Sequence, residues 1–204
     1  MKQLCYTIGH SNYSLGKFIS LLKRHDITHL VDVRSVPYSK YANQFNEKPL
    51  KAQVQLNGIK YIYMGKELGA RFDTNKYKDE SGRLDFSGII RRNQFTDGIS
   101  RVIRGITSGA VIAIMCSEKE PFDCHRFILI SFALQQEGIV VTHILEGGSL
   151  IDNSELENRL INKYCPEYVQ MNLFSPNLSH EEALLKSYEQ KYQEIAYNVA
   201  EKEE

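Results

Sequence analysis

Apolar residues fall into short continuous runs that alternate with stretches of helical period, which predicts βα units around a mainly parallel sheet. The first strand is predicted over Leu4 to Ile8 and the second over His29 to Val33. Between them Phe18, Leu21 and Leu22 share one face of a helix from about Leu15 to His25, behind the cap candidates Asn12 and Ser14. A helix near Pro49 to Leu56, ended by Asn57-Gly58, leads to a third strand, Lys60 to Met64. The run Ala110 to Met115 predicts a fourth strand, buried on both faces. Ile99, Ile103 and Ile106 mark a helix from Ile89 to Ile106 before it, Phe127 to Leu134 continues as a buried helix after it, and Ile139 to Leu145 makes the fifth strand.

Two stretches read differently. Gly65 to Gly88 is rich in Gly, Lys, Asp and Arg without apolar periodicity, which predicts a lid or binding loop. After residue 150 the chain turns helical: Ser154 to Tyr164 follows a cap at Asn153 or Ser154, and the charged tail from Ser179 carries Leu184, Leu185 and Tyr188 on one side. The expected architecture is one Rossmann-like three-layer α/β domain over residues 1–150, with about five strands and helices on both faces. A helical extension over residues 151–204 packs on it or trails from it.

Composition narrows the function classes. The 204 residues suit one core, and 25 Lys plus Arg against 25 Asp plus Glu leave no global positive field for non-specific nucleic-acid binding. The longest apolar runs are too short to span a bilayer, no signal peptide is recognisable, and four scattered cysteines fit a cytoplasmic protein with reduced thiols. Cys5 and Cys165 read as small packing residues. A homodimer is compatible with the neutral, tyrosine-rich chain.

The chemistry gathers at the carboxyl ends of the strands, where open α/β sheets bind ligands. His10 and Ser11 follow the first strand, Asp32 and Arg34 the second with Ser39 beyond, and Lys66 and Glu67 the third; Cys116 and Glu118 follow the fourth. Cys124 starts the next helix, whose dipole favours a thiolate, with His125 and Arg126 beside it. A nucleophilic Cys124, served by His10 or His125 as proton carrier and by Arg34 or Arg126 as anion holder, is one reading; His10 with Glu118 as acid and base is another. The plain alternative is a half-buried cysteine, with Arg126 bonded to a carboxylate such as Asp32 or Glu118. Arg34, Lys66, Arg71 and Arg126 also suit phosphate recognition, although a Walker loop and a G-x-G-x-x-G fingerprint are both missing. Phe122 stands where a cysteine-phosphatase loop would need Arg. Cys116, Cys124, His10 and His125 could ligate a metal, but the C-x7-C-H spacing lacks the close pairs of structural zinc sites, and no cofactor is required.

Four motifs in order, Ile8-Gly9-His10-Ser11, Asp32 through Ser39, Lys66-Glu67-Leu68-Gly69 and Cys116-Ser117-Glu118 through Cys124-His125-Arg126, resemble the domain of unknown function 488 family from about Tyr6 to Gly147. The resemblance implies a compact α/β domain and the same site positions, without a reaction. Outside it, Gln170 to Phe174 resembles the Q-x-x-L-F peptide that docks on sliding clamps, against which stands a role in pinning the C-terminal segment to the domain's own core. The leading expectation is an enzyme, a transferase or hydrolase, acting on a phosphate-bearing nucleotide or nucleic acid. The alternatives are a non-catalytic binding module and a metal protein.

Overall fold

The computed structural model describes residues 3–72, 74–78, 83–169 and 178–200. Six strands form one sheet in the order β3-β2-β4-β1-β5-β6. They are β1 (Leu4–Gly9), β2 (His29–Asp32), β3 (Lys60–Tyr63), β4 (Ile112–Cys116), β5 (Val140–Ile144) and β6 (Leu150–Asp152). The first five run parallel, as the alternation predicts, and β6 is an added antiparallel edge strand on β5. Its three residues are too few to carry a period, so the sequence gives no sign of it.

Side chains of β4 alternate between the two cores of a three-layer sandwich. Ala113 and Met115 join Phe18, Leu22, Leu50 and Val54 of α1 (Leu15–Arg24) and α2 (Glu47–Leu56). Ile112, Ile114 and Cys116 face the opposite core, with Phe86, Phe95, Ile99 and Val102. A short helix α3 (Gly65–Leu68) follows β3, and α4 (Phe86–Arg91) and α5 (Asn93–Thr107) lead to β4. The single helix predicted over Ile89 to Ile106 is thus two. Arg92 breaks it with extended backbone, because its guanidinium is drawn to α3, lying 3.8 Å from the Phe72 ring centre and bonding the Glu67 and Gly69 carbonyls.

The buried helix after β4 begins as a π-helical turn, Arg126–Ser131, and continues as α6 (Phe132–Gln136). π turns recur at functional sites. The C-terminal helices are α7 (Asn153–Tyr164), α8 (Pro166–Val169) and α9 (His180–Ala200). The cap of α7 is Asp152, in a capping box with Glu155, rather than Asn153 or Ser154. Asn153 is buried instead, where its Oδ1 meets His143 Nε2 at 3.0 Å. Tyr188 of α9 is fully buried against Phe86, Phe127 and Phe132, so the last helix shares the core of the β4 face. Residues 170–177, with the clamp-like peptide, lie outside the described residues. No helix among the described residues is long and apolar enough to cross a membrane.

Candidate functional site

Register brings the strand ends together. Gly9 pairs with Cys116 and Asp32 with Met115, so β1, β4 and β2 stop side by side. The backbone continues the alignment, with His10 N donating to the Cys116 carbonyl and Ser11 N to the Ser117 carbonyl, both at 3.0 Å. Gly9 is obligatory at this crowding: a Cβ would stand 1.9 Å from the Glu118 carbonyl oxygen. That same oxygen accepts a 2.7 Å bond from Arg126 Nη1.

Cys116 and Cys124 meet because β4 points Cys116 toward the face covered by the π turn, and Cys124 stands two residues before that turn, with His125 between. His125 Nδ1 is 3.7 Å from each sulfur, and the three ligating atoms lie within 4.8 Å of one another. All three residues are buried, as is Arg126, which is fully inaccessible. Arg126 bonds main-chain carbonyls, Glu118 through Nη1 and Lys119 through Nη2, and not the carboxylate that the plain reading of the sequence supplied. Its Nε and His125 Nε2 have no partner among the described residues.

This environment splits the two thiols. The hydrogen bond that Cys116 gives to Cys124, helped by burial, holds the Cys116 thiol well above its usual range. Burial alone would also raise Cys124, but that bond, the positive charge of Arg126 and the His125 ring, whose Nδ1 lies 3.7 Å from the sulfur, outweigh it and bring Cys124 well below. Of the two thiols, Cys124 is thus the one whose surroundings favour losing the proton. Cys5, buried with no such neighbours, is pushed up to about 12.

A second cluster stands beside the first. Asp32, fully buried, accepts from Arg34 Nε at 2.9 Å and Nη2 at 2.6 Å, and from the Tyr61 hydroxyl at 2.7 Å. Burial disfavours the Arg34 charge, but the Asp32 carboxylate more than compensates and holds its pKa above the usual value. Arg34 Nη1 also reaches His10 Nε2 at 3.1 Å, while His10 Nδ1 meets the Ser11 carbonyl at 2.8 Å. The imidazole therefore donates through Nδ1 and accepts at Nε2, and burial beside Arg34 lowers its pKa to about 4. At neutral pH His10 is uncharged, stacked on Phe45 at 4.3 Å, with both nitrogens engaged.

Both clusters open on a pocket of about 360 Å³. Arg34, Ser39, Arg71, Cys116, Glu118, Cys124 and His125 line it among the residues singled out from the sequence; Tyr38, Asp123 and Ile195 also do. Asp32 and His10 stand behind Arg34 as its supports. Ser11 shapes the turn after β1 with φ +46°, while Lys66 is exposed on α3 and Glu67 pairs with Arg101. Asp123 and Ile195 were missed for one reason. Both depend on where α9 docks: Lys191, its side chain nearly inaccessible, bonds Asp123 Oδ1 at 2.8 Å. A larger cleft of about 660 Å³ between Arg83–Phe86 and α9 gathers no thiol or imidazole.

The fold and site define an α/β domain with a thiol, imidazole and guanidinium pocket at the carboxyl edge of its parallel sheet. The chain belongs to the family described as Domain of unknown function DUF488, whose model matches residues 14–133. No curated protein and no solved structure matches the chain.

Proposed function

We propose that the protein is an enzyme that uses the Cys124 thiolate as a nucleophile on a phosphate-bearing substrate. The observation that carries this reading is Arg126, a fully buried cation whose partners among the described residues are the main-chain carbonyls of Glu118 and Lys119 and no carboxylate. A buried charge needs a counter-charge, and the adjacent Cys124 thiolate supplies it. Arg34, held rigid by Asp32 and His10, keeps one Nη1–H unused among the described residues and, with Arg71, offers cations to the substrate's phosphate. As Cys124 sulfur forms its bond to the electrophilic atom, the bond from that atom to the leaving oxygen breaks. The leaving oxygen takes the proton of Cys116, whose sulfur then carries the negative charge beside Arg126. His10 serves as a positioning residue for Arg34.

The test is the reactivity of Cys124 toward iodoacetamide across pH, with and without inorganic phosphate. The reading expects a thiolate below pH 7 whose alkylation slows when phosphate fills the pocket. An inert Cys124, or one indifferent to phosphate, would sink it.

One observation favours a second reading, a Cys116, Cys124 and His125 metal site with its open position toward the pocket. A tetrahedral zinc, with bonds of about 2.3 Å to sulfur and 2.0 Å to nitrogen, sets S and N ligands about 3.6 Å apart; the distances here are 3.7 Å. His10 is not in that set, since Arg34 and the Ser11 carbonyl occupy its nitrogens. Charge ranks this reading second: a divalent ion with two thiolates is neutral and leaves Arg126 without a counter-charge. Cobalt titration decides it, because ligation by both sulfurs gives a thiolate-to-cobalt absorption band that Cys116→Ser weakens and that the double change Cys116→Ser with Cys124→Ser removes.

A further inference from the structure

The loop that follows Arg34 turns apolar and aromatic side chains outward at the rim of the pocket. Val36, Tyr38 and Tyr41 are 53%, 61% and 97% exposed, and Val36 and Tyr38 line the pocket wall beside Arg34 and Arg71. Lone exposed hydrophobic residues need no explanation, but three within one short loop at the mouth of a cationic pocket form a patch.

The loop is also ordered by its own bonds. Ser39 N donates to Asn46 Oδ1 at 2.7 Å, and Ser39 Oγ accepts from the amides of Tyr41 at 3.2 Å and Ala42 at 3.1 Å. Glu47 N donates to the Pro37 carbonyl at 3.0 Å. The Asn43 amide, oriented by its surroundings, donates to the Ser39 carbonyl at 2.7 Å. Tyr38 and Tyr41 are therefore presented on a backbone that binding need not order, the condition under which an exposed ring gives affinity cheaply.

Resting on the phosphate reading of the pocket, we infer that this loop is a stacking platform for bases, and that the substrate is the phosphorylated end of a single-stranded nucleic acid. Aromatic rings beside cations are how proteins hold single strands without reading sequence. Two rings at different depths select a strand over a mononucleotide. Tyr38 lines the pocket wall, where the end nucleotide would sit, while Tyr41, three residues further along the loop, is 97% exposed and outside that wall, which leaves its ring for a second nucleotide. A chain without net charge fits the local character of such a contact: it would grip an end and not coat a duplex.

The experiment is a fluorescence-anisotropy titration of the full chain with a short 5′-phosphorylated oligothymidylate labelled at its other end. Competitors are thymidine 5′-monophosphate and a 5′-phosphorylated strand of abasic residues. The inference expects the oligothymidylate to compete at least tenfold better than either, Tyr38→Ala and Tyr41→Ala each to weaken binding about tenfold, and Tyr41→Trp to restore it. The abasic strand competing equally, or both alanine variants binding unchanged, would overturn base stacking. A mononucleotide binding as tightly as the strand would overturn the strand in favour of a free nucleotide. Phosphate protection of Cys124 from alkylation, measured in the same samples, separates the two levels: if it persists while base preference is missing, only the inference fails, and if it is missing too, the pocket reading fails with it.

Discussion

Three neighbours hold the Cys124 thiol well below its usual range, and each can be removed singly. Arg126 contributes a buried positive charge, Cys116 a hydrogen bond and His125 a ring nitrogen 3.7 Å from the sulfur. Arg126→Met, which keeps the bulk and deletes the charge, is expected to move the Cys124 titration upward by more than one pH unit. Cys116→Ala moves it the same way by removing the donor. Ultraviolet absorbance of the thiolate against pH reads both, and a profile unmoved by either change would show that the neighbours do not set it. Gly9 provides a steric counterpart. A methyl group there must displace the Glu118 carbonyl that holds Arg126, so Gly9→Ala is expected to cost about 2–3 kcal/mol in urea denaturation and to raise the Cys124 titration as well.

At the scale of elements, the wall of the site contributed by α9 is the surprising part. Tyr188 packs on Phe127 and Phe132, which continue directly from the Cys124 turn, and Lys191 ties the helix to Asp123. Tyr188→Ala is expected to lose about 4 kcal/mol, as for other large buried aromatics, with unfolding still a single transition. Two separate transitions, with the sheet stable on its own, would show that the helix is an appendage. The elements differed in how openly the sequence announced them. β4 and the buried helix after it were legible because fully apolar runs have few other destinations, and the polar loop between them was legible as a candidate site because nothing in packing asks for thiols, His and Arg there. The break at Arg92 was hidden, since it is made by a guanidinium reaching α3 across many residues of chain. β6 is too short for a period. The support role of His10 could not be read either: its position at a strand end predicts a pocket residue equally well, and only the Arg34 contact assigns its nitrogens.

For the whole molecule, the parallel order of β2, β4 and β1 converts scattered motifs into one pocket, and the buried imidazoles tie its stability to pH. His10 and His143 are both lowered from the ordinary 6.5 to about 4 by burial and nearby arginines. The unfolded chain therefore binds more protons than the folded one between those values. Stability from these groups is fully present above about pH 6.5 and is lost as pH falls through about 4, on the order of 3 kcal/mol for each. Urea midpoints from pH 7 down to pH 4 are expected to fall accordingly, and less steeply in His143→Gln; an equal slope in that variant would remove His143 from the account.

The central claim, a Cys124 thiolate lining a substrate pocket, is tested most directly by the alkylation rate of each cysteine against pH, followed by peptide mass spectrometry on the native protein. The account expects Cys124 alone to react as a thiolate below pH 7, with Cys5, Cys116 and Cys165 slow. A Cys124 that titrates at or above the ordinary thiol value of about 8.5, or reacts no faster than Cys5, would contradict it.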